Sequence, residues 1–241
     1  MVCSTGLFFI KTKAMKKLFL PILIAVMLPA TFSCSNTRFG GYTLNERDAA
    51  DAIRQLLQIG TKNGLSSGAF SKETMMSAIF PEGVRKVLNT MQQLGITNEV
   101  DRFTTTLGTA AEKTAERSVP IFLNGISNMK FNDAVRIIKT GGTSATDYLR
   151  SSVGTDLRTS IKPIMQSALD EYKLIEQWAN ITKPLSTATG NKLNLDLANL
   201  MAGVVSEAMF QKIEEKEKEI RTNANARTTT LLQKVFSRDW N

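Results

Sequence analysis

Apolar side chains recur at helical spacing along almost the whole chain after residue 43. In the first such segment Ala49, Ile53, Leu56 and Gly60 fall on one stripe, because helix positions three and four apart share a face. No pair of neighbouring segments alternates apolar and polar residues as a strand hairpin does. The pattern predicts an all-α fold, a single multi-helix bundle of about eight to ten helices.

Capping residues, glycines and prolines set the predicted helix boundaries. Thr43 and Glu46 have capping-box spacing at the first helix, and Gly141–Gly142 is predicted to end a later one. We expect one helix to end before Pro120 and Pro163 to bend or interrupt another, because proline lacks the amide hydrogen that a helix interior uses. The predicted helices are the one capped at Thr43, Pro81–Gly95, Asn98–Val119, Pro120–Ser127, Asn132–Lys139 (with Asn132 as cap), Ser144–Ser152, Thr155–Lys173, a stretch around Trp178, Asp196–Arg221 and Arg227–Phe236.

The last long helix, Asp196–Arg221, follows a segment rich in Thr, Pro, Gly and Asn over residues 182–194. That composition is typical of a loop. On the helix itself, the spacing of Leu200, Val204 and Ala208 predicts its inner face.

Residues Met15–Cys34 have the three-part layout of a bacterial export signal. Lys16 and Lys17 precede an uncharged apolar run, and small residues lead to Cys34. The apolar stretch Leu18–Phe32 is 15 residues long, whereas a bilayer-spanning helix needs about 20 apolar residues. We therefore expect cleavage before Cys34 and attachment of lipid to its sulfur, with simple secretion and an uncleaved anchor as alternatives.

This prediction divides the chain into three parts. Residues 1–33 are an upstream extension and a lipoprotein signal peptide, residues 34–43 are the lipid attachment site and a tether, and residues 44–241 are an all-helical domain. Cys34 is the only cysteine after the signal, so the mature chain has no internal disulfide and thioether lipidation would consume its lone thiol.

The chain has no histidine, which removes the commonest general base and metal ligand. Ser-His-Asp and Cys-His catalysis are excluded, and so are zinc sites of the Cys/His kind. Four lysines and no acids lie in residues 1–33, so the net charge of +8 falls to +4 in the mature chain. The basic residues form no block with interleaved aromatics, so we predict no nucleic-acid partner, no cofactor and no metal.

Two polar groups are candidate sites. The small residues Ala110 and Ala111 would let a neighbouring helix approach closely, so we expect Glu112 to be partly buried and paired with Arg136, Arg221 or Arg227. A surface position or a ligand site is the alternative for Glu112.

The turn Gly141–Gly142–Thr143 precedes a predicted helix start, where free amides could hold an anion. A plain turn with Thr143 or Ser144 as N-cap explains the same residues. The carboxylates of Glu214, Glu215, Glu217 and Glu219 alternate with lysines and are interpreted as a solvated helix face, with a cation site or acid/base pair as the alternative.

Two blocks of the chain carry a family resemblance. Phe122–Arg150 and Arg221–Phe236, with Phe80–Pro81, Ala110–Glu112 and Ile161–Pro163, resemble the bacterial domain of unknown function 4197 over residues 44–237. Gly108–Thr109 depart from the family's usual Asn-Arg at that place. The resemblance implies an exported, often lipidated, all-helical protein and supplies no catalytic residues.

The expected function is that of a lipid-anchored envelope protein without catalysis, held at the outer membrane and facing the periplasm. Its partners would be the membrane, through the N-terminal lipid, and an unknown envelope protein or apolar ligand. The alternative is a lipid or apolar small-molecule transport protein with an internal cavity. An enzyme using carboxylate or lysine chemistry is a third possibility.

Overall fold

Eight α-helices and one 3₁₀ turn make up the computed structural model over the residues it describes, namely 42–63, 70–79, 82, 85–86, 98–189 and 196–240. This confirms the predicted all-α class. The predicted signal, Cys34 and most of the tether and of the Pro81–Gly95 helix lie outside these residues. The helices are α1 Glu46–Asn63, α2 Lys72–Ile79, α3 Asn98–Asn128, α4 Ala134–Thr140, α5 Ser144–Glu171, α6 Leu174–Thr189, α7 Leu197–Thr222 and α8 Thr230–Phe236, with the 3₁₀ turn at Ala224–Ala226.

The core lies where α5 packs against both α3 and α7, and α1 covers the other side of α7. Phe122 of α3 meets Phe210 of α7 edge-on, with ring centroids 5.3 Å apart. Leu149, Ile161 and Met165 of α5 are fully buried. Each such side chain contributes roughly 1.5–3 kcal/mol on burial. Most of the buried apolar residues that the structure describes lie on these three long helices.

Pro120 and Pro163 lie inside continuous helices, so the predicted break at Pro120 is wrong and Pro163 does not interrupt α5. A proline in a helix interior costs about 3 kcal/mol. The helices continue because fully buried residues lie on both sides of each proline, Ser118 and Phe122 in α3 and Ile161 and Met165 in α5. The packed face crosses the proline, and its burial outweighs one lost backbone hydrogen bond.

The inner face of α7 is displaced by one residue from the prediction. Met201, Val205 and Met209 are buried, whereas Leu200, Val204 and Ala208 are only half-buried. The first half of α7 is apolar on two adjacent stripes, so spacing alone did not distinguish them. The positions of α5 and α1 determine which of the two stripes is buried.

Several helix ends also differ from the prediction. The Thr43–Glu46 capping box is not formed: Asn45 Oδ1 accepts from the Asp48 amide at 2.9 Å, and Asp133, not Asn132, caps α4. α6 continues to Thr189 through part of the predicted 182–194 loop.

The predicted break between Ser152 and Thr155 is also wrong, because α5 continues through it; the remaining differences concern short helices. The last helix, α8, begins at Thr230, capped by Thr229, and not at Arg227 as predicted. Helix α2 was not predicted at all, although Ser71 at its start is a recognisable cap whose hydroxyl accepts from the Thr74 amide at 3.3 Å.

Gly108 is required where α3 passes the chain at Phe70. A Cβ at this position would lie 2.5 Å from the Phe70 carbonyl oxygen, which is too close for a backbone contact to relax cheaply. We predict that Gly108→Ala destabilises the domain by about 1–3 kcal/mol, measured by urea denaturation. Gly154→Ala is the matched control: its Cβ meets only side chains at 3.7 Å, so helix propensity should stabilise it by up to about 1 kcal/mol. Equal effects of the two substitutions would contradict the close-approach argument.

Candidate functional site

The turn Gly141–Gly142–Thr143 joins α4 to α5. Gly141 and Gly142 have φ of 73° and 59°, in the left-handed region that glycine adopts without strain. The two glycines end α4 where predicted, and the turn that they form makes the first amides of α5 face the body of the domain. Thr143 occupies the N-cap position without a side-chain capping bond, and its hydroxyl donates instead to Asp147 Oδ2 at 2.9 Å.

A carboxylate from α7 occupies the start of α5. Glu217 Oε1 accepts from the Ala145 amide at 3.0 Å, and Oε2 accepts from the Thr146 amide at 2.8 Å and its hydroxyl at 2.6 Å. The Glu217 side chain is 0% exposed. A negative group at a helix N-terminus satisfies free amides and is favoured by the helix dipole. The amides that could have held an external anion are therefore bonded to a carboxylate of the protein itself.

Arg221, one turn after Glu217 on α7, completes the arrangement. Its Nε donates to Glu217 Oε1 at 2.9 Å, and its other nitrogens donate to the Ile138 carbonyl at 3.1 Å and to Ser144 Oγ at 3.1 Å. The guanidinium also lies 5.1 Å from the centroid of the Phe236 ring. One cation thus binds the carboxyl end of α4, where positive charge is favoured, and contacts α8. We call Glu217, Arg221, Ser144 and Thr146 the polar hub.

Arg227 terminates α7. Its Nε donates to the Ile220 carbonyl at 2.9 Å, and another nitrogen donates to the Arg221 carbonyl at 2.9 Å. Burial lowers the pKa of the Arg227 guanidinium from its usual value. The residue therefore holds the last carbonyls of α7 next to the polar hub, and it forms no ion pair with Glu112.

The predicted burial and pairing of Glu112 are wrong. Glu112 is exposed and forms no ion pair with any residue that the structure describes, because α3 presents Ala110 and Ala111, not Glu112, to its neighbours. Arg136 bonds instead to Asp133, with Nε 2.7 Å from Oδ2, and its side chain is 74% exposed. Of the four predicted residues, the structure brings only Arg221 and Arg227 together.

In the part of the chain that the structure describes, the buried carboxylate is Glu217 on α7, and not Glu112 on α3 as predicted. The cluster at the end of α7 is solvated at Glu215 and Glu219, which pair with Lys212 and Lys216. Glu217 is an exception, because it follows Ile213 by four residues and precedes Ile220 by three. That spacing places Glu217 on the buried stripe, and it was the signal available in the sequence.

The polar hub has no spare capacity for acid/base chemistry. Both Glu217 oxygens accept two hydrogen bonds each, which fills the sites a carboxylate commonly uses. Within the described residues, no three His, Cys, Asp or Glu side chains converge to hold a metal ion. The arrangement can join helix ends and fix their angles.

A shallow groove lies elsewhere, where α5 and α7 meet α2. It has a volume of about 420 Å³, and the half-buried stripe Leu200, Val204 and Ala208 forms one wall. Arg158 covers Gly203 there, with guanidinium atoms 3.0–3.2 Å from where a Cβ would be. The described lining residues are Thr74, Arg158, Leu200, Gly203, Val204, Glu207, Ala208 and Gln211.

The fold and the polar hub define an all-helical domain organised around one buried ion pair. Residues 43–237 match the family model described as "Protein of unknown function (DUF4197)", and the chain belongs to that family. Comparisons with curated proteins and with solved structures returned no match.

Removing the charge of Glu217 should be costly. In Glu217→Gln one oxygen becomes an amide group that faces donors, and Arg221, 11% exposed, loses its counter-charge. We predict a loss of about 3–5 kcal/mol in the free energy of unfolding, measured by urea denaturation. Glu215→Gln, whose side chain is 63% exposed, should change stability by less than about 0.5 kcal/mol. A loss of similar size in both variants would contradict the prediction that burial makes the Glu217 charge more important for stability than the exposed Glu215 charge.

Two inter-helix carboxylates should make stability pH-dependent. The pKa of Glu171 is lowered by its hydrogen bond from Lys113, and that of Asp196 is lowered by Lys162 and by the Asn199 amide. Because both favour the ionised form in the folded state, their contribution is present above their ordinary pKa values of 4.5 and 3.8. It is lost as the pH falls through the lowered values.

Asp196→Asn tests this dependence, since asparagine keeps the N-cap of α7 but cannot titrate. We expect its unfolding midpoint in urea to fall less steeply below pH 3.8 than that of the parent. Identical acid slopes for Asp196→Asn and the parent would contradict the assignment.

Proposed function

We propose that this protein is a lipid-anchored bacterial envelope protein whose helical domain has a non-catalytic, binding or structural role. The observation that carries the proposal is the signal-like segment Met15–Ser33 followed by Cys34, the only cysteine left after it. Acylation of Cys34 would attach the domain stably, since each buried methylene adds about 0.8 kcal/mol. The domain would be exported and held at the outer membrane, facing the periplasm.

The non-catalytic part of the proposal is supported by chemistry. The chain has no histidine, and its most buried carboxylate, Glu217, is fully used in joining helix ends. Among the helices that the structure describes, none has both the length and the apolar character that crossing a bilayer requires. The missing histidine and the fully bonded Glu217 support a role in contact with a partner over a role in catalysis.

The groove beside Leu200, Val204 and Ala208 favours a second candidate function. Its volume of about 420 Å³ lies within the range of small-ligand pockets, roughly 300–1,000 Å³. Its wall on α7 is apolar and incompletely covered. This supports binding of a lipid or another apolar small molecule, for which co-purifying lipid in the native protein is the discriminating observation.

Substituting Cys34 tests the anchor. We predict that Cys34→Ser moves the protein from the membrane fraction to the soluble fraction, because no acyl chain can be attached. Mass spectrometry of the parent purified from membranes should show an N-terminal Cys34 carrying lipid, with or without a bound partner or ligand.

Cys3→Ser is the matched control, because Cys3 precedes the signal and should not affect fractionation. Membrane retention of Cys34→Ser, or an intact Met15–Ser33 segment in the purified protein, would refute the lipid-anchor proposal.

A further inference from the structure

The beginning of the domain is fastened to the end of the chain. Tyr42 donates its hydroxyl to Asp48 Oδ2 at 2.6 Å, and Lys234 Nζ lies 3.8 Å from the centroid of the Tyr42 ring. Arg238 donates to the Tyr42 carbonyl at 3.2 Å, and Trp240 meets the Tyr42 ring edge-on at 5.8 Å. We call these five residues the terminal clasp.

The contacts within the terminal clasp hold Tyr42 in place. Burial, together with the hydrogen bond and charge of Asp48, raises the pKa of the Tyr42 hydroxyl. The Trp240 indole nitrogen donates to the Val235 carbonyl at 2.6 Å, which fixes the ring against α8. The point at which the tether joins the domain is therefore a defined position on its surface.

The terminal clasp lies at one end of the long axis of the domain. Arg54 of α1 donates to the Met129 carbonyl, and Gln58, one turn later, donates to Ser127, so α1 runs antiparallel to the end of α3. Tyr42, before α1, therefore lies beyond the carboxyl end of α3.

The opposite end of the axis carries the other tryptophan. Trp178 stacks on Phe103 near the start of α3, with ring centroids 5.7 Å apart. At 1.5 Å per residue, the segment from Phe103 to Asn128 is about 38 Å long. Trp178 and Trp240, the two tryptophans of the chain, thus mark opposite ends.

The reach of the tether is shorter than this axis. Cys34 precedes Tyr42 by eight residues, which span at most about 28 Å when fully extended. If the Trp178 end rested on a membrane, Tyr42 would stand about 38 Å or more above it, beyond the reach of a lipid on Cys34. Once the lipid on Cys34 is in the membrane, the tether is therefore too short for the Trp178 end of the domain to rest on the membrane; we call that arrangement the inverted placement.

We infer that the terminal clasp is the surface that faces the lipid bilayer, an inference that rests on the proposed lipid anchor. Half-buried Tyr42 and Trp240 beside Lys234 and Arg238 are side chains suited to the headgroup region. Asp48 lies 3.8 Å from the Lys234 ammonium, and Asp239 is exposed next to Arg238 in the sequence. The net charge of this surface is therefore close to zero, and we expect contact without anionic lipid. The end that carries Trp178, with the groove between Glu99, Arg102, Gln177 and Asn180, points away from the membrane and is presented to partners.

The two tryptophans allow a direct test of this orientation. The mature chain, Cys34–Asn241, is coupled through Cys34 to a maleimide lipid in phosphatidylcholine vesicles that contain a dansyl-labelled headgroup. Because the coupling is chemical, the result does not depend on whether cells lipidate Cys34, which mass spectrometry of the native protein decides separately. Energy transfer from tryptophan to dansyl is then measured in Trp178→Phe, Trp240→Phe and the parent.

We expect severalfold greater transfer in Trp178→Phe, which retains Trp240, than in Trp240→Phe, which retains Trp178. Equal transfer from the two variants would indicate a domain lying flat, and stronger transfer from Trp178 would indicate the inverted placement; either result overturns the inference. Should Trp178→Phe fail to fold, as judged by circular dichroism, Trp240→Phe alone decides, because it should lose most of the parent's transfer.

Discussion

The buried pair of Glu217 and Arg221 determines how four helices meet. Its carboxylate satisfies the first amides of α5, and its guanidinium satisfies the last carbonyls of α4 and contacts the ring of Phe236 on α8. Both residues belong to α7. A buried ion pair contributes little net stability over an apolar substitute, but its directional bonds restrict the ends of α4 and α5 to one arrangement. The long helices supply the energy of folding, and this pair selects the geometry.

The tight turn between α4 and α5 depends on the same pair. Gly141 and Gly142 adopt left-handed conformations, and Thr143, which follows them, makes no capping bond to the amides of α5 because its hydroxyl donates to Asp147. Those amides would be costly if left unpaired in the interior. Glu217, from a distant part of the sequence, takes the place of a local cap, and Arg227 secures the end of the helix that carries it.

How far the sequence predicted this structure depends on the range of the forces involved. Local sequence patterns correctly predict the all-α class, the glycine turn at Gly141–Gly142 and the span of α7, because each is determined by residues close together in the sequence. The continuity of α3 through Pro120 and the buried stripe of α7 depend on which neighbours pack there. The candidate site follows the same rule. The small neighbours of Glu112 predict burial, but Glu112 is exposed and no helix that the structure describes packs over it. Glu217 lies in a charged segment, and only its spacing from Ile213 and Ile220 indicates that it is buried.

The terminal clasp and the Gln55–Thr229 hydrogen bond of 2.8 Å join the first helix of the domain to its last. Among the described helices α1 packs most extensively against α7, and it also contacts α3, α4 and α8; α7 and α8 are formed by the final part of the chain. Contacts so distant in sequence form late, because loop closure must precede them. During synthesis the first helix therefore lacks its most extensive contact, with α7, and the terminal clasp until the final part of the chain has been made.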